Sequence, residues 1–264
     1  MHETLSSLVE RALNGNRRPL EFYLREQSRL PGKRANLELA IEFSNLLGAV
    51  VPEYARQTRE LLTYLLHDGE HIEVNTPGEF VVLCGIVASG ACAAVLPGWR
   101  EEIYKLLGHY ASSLSWRVRE AVAMGFQQLL PAAPEETIAY LMTLAAEGDN
   151  FQQRASIAAV AEPPLLHAPE IVNAALSIQR LVLERMHSVP IAERKREDFR
   201  ALRQALGYTL SVVTAAAPEK GFALMSQSAS WNDPDINWIL RENLKKKRLA
   251  KFAEHTEKLS RMLA

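Results

Sequence analysis

Cysteine is nearly absent from this chain of 264 residues: there are two, Cys84 and Cys92. Both lie in one run rich in Ala, Val and Gly, eight residues apart. On a helix that spacing puts them on one face about 12 Å apart, too far for a disulfide. A disulfide scaffold is thereby excluded, and the pair reads as buried thiols of a reducing, cytoplasmic protein. Aromatic residues make up only 7% of the chain, while Ala and Leu dominate. That mixture favours close-packed helices over strands, which draw on β-branched and aromatic residues. No segment alternates with period two for long enough to form a strand. The net charge of −1 provides no global attraction to nucleic acid or to a membrane surface. No uninterrupted apolar run reaches membrane-spanning length; the richest, Phe80 to Leu96, is heavy in Gly and Ala and falls about one turn short. The polar opening His2-Glu3-Thr4, with no apolar core region after it, does not read as a signal peptide. Neither G-x-S-x-G nor a P-loop nor a dinucleotide glycine pattern occurs, so no cofactor is expected. The connector containing His67, Asp68, Glu70, His71 and Glu73 has metal-type ligands. Gly69 interrupts the helical H-x-x-x-H spacing they would need, so no metal site is expected either.

What is present is a succession of amphipathic helices punctuated by Pro, Gly and Asn. The pattern predicts helices over 3–13, 18–29, 35–49 and 53–66, read as two antiparallel pairs. It continues with helices over 77–95, 99–112, 115–130, 135–146 and 150–161. The last five are expected over 169–187, 198–216, 218–229, 234–247 and 249–262. The charged stretch 190–198 is expected to be a loop or an exposed helix entry. Small residues in 77–95 (Gly85, Ala88, Gly90, Ala91, Ala93, Ala94) mark that helix as one that neighbours approach closely. An aromatic opens five of the helical runs: Phe80, Trp116, Phe151, Phe199 and Trp238, spaced by 36, 35, 48 and 39 residues. In Trp116, Phe151 and Trp238 an Arg follows three residues on, as Arg119, Arg154 and Arg241. A recurrence of this length in an all-helical chain marks stacked helix pairs. The fold class expected is all-α, an α-α superhelix of HEAT or armadillo-like repeats with about six helix pairs, forming one solenoid domain over 1–264.

Charge is unevenly placed along this array. Residues 11–34 hold seven basic side chains against two acidic ones, and residues 241–264 hold eight against three. Two basic ends therefore flank an acidic middle, and a curved array would present them as one concave surface. The stretch Asn237-Trp238-Ile239-Leu240-Arg241-Glu242-Asn243-Leu244-Lys245-Lys246 resembles the last repeat of the bacterial DNA alkylation repair family, the HEAT-like alkylpurine DNA glycosylases. Asn150-Phe151-Gln152-Gln153-Arg154-Ala155 is similar to that family's middle repeat, and Ser115-Trp116-Arg117-Val118-Arg119-Glu120 to the repeat before it. The resemblance implies that Trp116 and Trp238 pack against a damaged nucleoside and that Arg154 and Arg241 grip phosphates. Glu120, four residues after Trp116, stands nearest the place of the family's catalytic aspartate, which is itself absent. An additional repeat of about 48 residues also separates the Arg154 and Trp238 repeats.

Each of these residues has a structural reading beside the functional one. An aromatic at a helix start fills the space between repeats, and an Arg one turn on reaches neighbouring carbonyls or acids. Recurrence in repeat after repeat favours that reading, because a catalytic site is needed once. Lys245, Lys246 and Lys247, with Arg248 and Lys251, form either a phosphate grip or a solvated helix end that suits the dipole. The function expected is a monomeric binding or scaffold protein that takes duplex DNA or a protein partner on its concave face, with no membrane role. The alternative is a glycosylase that excises alkylated purines, with Glu120 as its carboxylate.

Overall fold

The computed structural model describes residues 4–67, 69 and 71–264. Among them the regular structure is helical throughout, an all-α helical-repeat fold. Its fourteen α-helices are α1 (Leu5–Leu13), α2 (Arg18–Glu26), α3 (Leu37–Val50), α4 (Ala55–Leu65), α5 (Pro77–Val95), α6 (Arg100–Ala111), α7 (Trp116–Leu129), α8 (Pro134–Glu147), α9 (Asn150–Val160), α10 (Pro169–Ser188), α11 (Glu197–Ala216), α12 (Pro218–Ala229), α13 (Pro234–Leu244) and α14 (Ala253–Met262). Punctuation in the sequence sets these ends. Thr76, Ser115 and Asp233 accept backbone N–H groups at the starts of α5, α7 and α13, and Asp149 forms a capping box with Gln152 at α9. Each cap satisfies donors that a helix start leaves without partners. The chain packs as two compact units, residues 1–133 and 134–264.

In the first unit α5 is the organising helix. It lies between α3 and α7, with α2, α4 and α6 also against it. Fifteen of its 19 residues are buried. Gly90 explains the closeness of α5 to α7: a Cβ there would meet the Gly125 carbonyl oxygen at 2.3 Å. The expected close approach is thus real, and it is backbone against backbone. Two sequence expectations change here. Helix α5 reaches a length and apolarity that could cross a membrane, rather than falling a turn short; 83% of its apolar window is buried against its neighbours. And α4 packs on α5 and α1 rather than on α3, so the expected second antiparallel pair does not form as drawn. Consecutive helices of this unit pack against each other at α1–α2 and at α6–α7.

In the second unit α11 takes the central place, between α9 and α13, while α8, α10, α12 and α14 form the opposing row. The starts of α9 and α11 are tied by Asn150 Nδ2 donating to Asp198 (3.0 Å). Fully buried Asn243 of α13 donates to the Leu206 and Ile239 carbonyls, and its Oδ1 accepts the Ser211 N–H at 2.7 Å. This side chain fixes the register of α13 on α11, because a buried amide left without partners is costly. The five recurring aromatics now have one structural meaning: each sits in the first turns of a helix of these packed rows, α5, α7, α9, α11 or α13. Phe80, Phe151 and Phe199 are buried; Trp116 and Trp238 are not.

Candidate nucleic-acid interface

The arginines that follow these aromatics are mostly engaged within the fold. Arg119, 5% exposed, donates to the Ser113 and Leu114 carbonyls (2.6 and 3.0 Å) and closes the turn before α7. Arg241 is exposed but donates through Nη2 to the Leu263 carbonyl, holding the carboxyl end of α14. Arg154 is half-buried on α9. The ring of Trp238 is covered by Arg203, whose guanidinium carbon lies 4.0 Å from the ring centroid. Arg203 is itself paired with Asp235 at 2.9 Å. Trp116 is 48% exposed, with the Arg117 guanidinium 4.6 Å from its ring. Trp116 and half-buried Glu120 line one pocket of the first unit.

Two buried polar locks hold the helix starts, and the sequence reading identified neither. In the first unit the Glu79 carboxylate is fully buried and accepts from Arg117 Nη1 (3.1 Å), from the Asn75 N–H (2.9 Å) and from Ser115 Oγ. Arg117 also donates to the Gly32 carbonyl (2.6 Å). One ion pair thus binds α5, α7 and the loop before α3. In the second unit Arg194 donates to Asp233 (2.8 Å) and Asp235 (3.1 Å) and to the carbonyls of Val189 and His187. The stretch 190–198 is therefore not simply an exposed entry: Arg194 is 9% exposed, because the cap of α13, 39 residues on, supplies its counter-charge. Burial would raise the Asp233 carboxyl, but donors on His187, Arg194 and the Ile236 and Asp235 backbone outweigh it and leave it below the ordinary carboxylate value. The only signal in the sequence was the Asp-Pro-Asp at the start of α13. It predicts a cap, not the cation the cap recruits.

A different group of cations faces solvent. A cleft of about 870 Å³ in the second unit is rimmed by Lys245, Lys246, Lys247 and Arg248. Its floor is apolar: Leu166, Val212, Ala215 and Ala216, with Pro163 and His167 completing the lining. Tyr208 on α11 organises part of the rim. Its hydroxyl accepts from Arg248 (2.9 Å), the Arg248 guanidinium lies 4.7 Å from its ring, and the Lys246 ammonium lies 5.9 Å from it. Lys245 pairs with Glu242 at 2.5 Å. Lys246 and Lys247 have no carboxylate partner among the described residues. Four cations against one nearby acid leave a local positive excess that the net charge of the whole chain conceals. Part of this charge complements the carboxyl end of α13. Consecutive lysines exceed what one helix end requires.

Among the described residues no group of three or more His, Cys, Asp or Glu side chains could hold a metal ion. Asp68 and Glu70 of the histidine-bearing connector lie outside the described residues. Comparison with protein-family models, with curated proteins and with solved structures finds no match for this chain.

Proposed function

We propose that this protein is a non-catalytic helical-repeat binding module that grips the phosphate backbone of duplex DNA through Lys245, Lys246, Lys247 and Arg248. One observation carries this reading: the rim of the second-unit cleft gathers four cations, two of which have no carboxylate partner among the described residues. Lysines near a backbone bind by releasing condensed counterions, without reading sequence. The resemblance of 237–246 to the last repeat of the DNA alkylation repair family supports DNA as the polyanion. Binding is favoured over base excision because one of the two rings expected against a nucleoside and one of the two arginines expected on phosphates are engaged within the fold: Arg203 covers Trp238, and Arg241 holds the Leu263 carbonyl.

The test is a gel shift with duplex DNA at low and moderate salt, run with the wild type and with the charge reversal Lys245→Glu/Lys246→Glu/Lys247→Glu. The expected result is retardation that weakens with salt and is lost in the variant. Absence of retardation at low salt would remove DNA as the partner. Release of 7-methylguanine or 3-methyladenine from alkylated DNA, abolished by Glu120→Gln, would replace this reading with the glycosylase one.

A further inference from the structure

The first unit holds a separate concave site that the DNA reading leaves unused. A pocket of about 470 Å³ opens at the amino ends of α3 and α7. Arg29, Arg34 and Arg117 line it together with Leu37, Leu83 and Trp116, and Glu38 and Glu120 also reach its wall. We propose that this pocket binds a small organic monoanion with a flat apolar body, an aryl carboxylate.

The charges select the anion. Arg29 is neutralised by Glu38 at 3.0 Å, and Arg117 by the buried Glu79 at 3.1 Å. Arg34 is exposed and has no ion-pair partner among the described residues. One uncompensated guanidinium at the mouth fits one carboxylate, which it meets with a planar fork of donors. The amino ends of α3 and α7 add partial positive charge on the same side. Arg29 and Arg117 already have carboxylate partners, so a dianion would find no second uncompensated guanidinium here for its additional charge.

The walls select the body. Leu83 is buried and forms apolar floor; Leu37 and Trp116 are partly exposed at the opening. A half-exposed indole beside an aliphatic floor offers a flat ring a stacking surface. A volume of about 470 Å³ admits a bicyclic ring with one substituent.

The measurement is isothermal titration calorimetry of the full chain with 2-naphthoate, and with 2-naphthyl phosphate and 2-naphthylmethanol in parallel. Saturable one-to-one binding of the carboxylate is expected, with a Kd of about 1 mM or tighter, set by ordinary ligand efficiency for its size. The phosphate and the neutral alcohol should bind more weakly. Arg34→Ala should weaken naphthoate binding by about tenfold or more, the worth of a charged hydrogen bond, and Arg34→Lys should restore part of it. Both variants change an exposed side chain, so the fold is retained, and Trp116→Leu checks the stacking wall independently. Failure to saturate by about 10 mM naphthoate, which is weaker than any specific site of this size, would overturn the proposal. So would unchanged affinity in Arg34→Ala, or tighter binding of the phosphate.

Discussion

Replacing Glu79 by Gln should cost this protein a large part of its stability although the side chain barely changes shape. Glu79 is fully buried and serves three donors: Arg117 Nη1 at 3.1 Å, the Asn75 N–H at 2.9 Å and Ser115 Oγ. A carboxamide oxygen in the place of Oε2 keeps the Asn75 and Arg117 bonds, and its NH₂ group replaces the other oxygen opposite Ser115 Oγ, a hydroxyl that already accepts the Val118 N–H. What is lost is the charge: Arg117, with a side chain only 6% exposed, then retains neutral acceptors and no counter-charge. Breaking a buried pair by removing one partner costs about 3–5 kcal/mol. A chain of this size loses about 2–4 °C of Tm per kcal/mol, so the midpoint should fall by roughly 10 °C. Differential scanning calorimetry at pH 7 measures it. A fall of less than about 2 °C would show that the pair is not desolvated and that α5, α7 and the loop before α3 are held by packing alone.

Other consequences follow from the same contacts. Gly90→Ala should destabilise by about 1–3 kcal/mol in urea titration, because its methyl would strike the Gly125 backbone, whereas Gly98→Ala, with nothing within 4 Å, should be close to neutral. Asp233 has a lowered carboxyl, so the stability it contributes is present above its unfolded value of about 3.9 and is lost as pH falls through the lower folded value. Asp233→Asn should flatten that acid limb and also lower stability at pH 7, read by Tm against pH between 2 and 7. Burial pushes the Cys92 thiol up to about 12 and the Cys84 thiol higher than its ordinary value, so neither should react with a thiol reagent at pH 8 until the chain is unfolded.

The fold was legible because its punctuation is local. Pro77, Pro134, Pro169, Pro218 and Pro234 each stand at the first position of a helix, and Gly and Asn mark the breaks, so the helix boundaries can be read residue by residue. The recurring aromatic was legible for the same reason: Phe80, Phe151 and Phe199 fill equivalent places at helix starts. What escaped was pairing over distance. Nothing near Glu79 announces Arg117, 38 residues on, and nothing near Arg194 announces Asp233. A buried ion pair reads in sequence like two surface charges, and 190–198 therefore read as an exposed stretch. The lysines at 245–247 were visible as a run. Their floor was not, since Leu166, Val212 and Ala215 come from other helices and connectors. Likewise the guanidinium that covers Trp238 comes from Arg203 on α11, not from the Arg241 of the motif.

The most direct test of the central claim is the salt dependence of duplex DNA affinity, measured by fluorescence anisotropy from about 50 to 200 mM salt. Three to four phosphate contacts predict that log K falls against log salt with a slope of about −3 to −4, at roughly −0.9 per contact. The reversal of Lys245, Lys246 and Lys247 should bring that slope close to zero. A slope that stays the same in the variant, or an affinity indifferent to salt in the wild type, would contradict the assignment of these cations to the backbone.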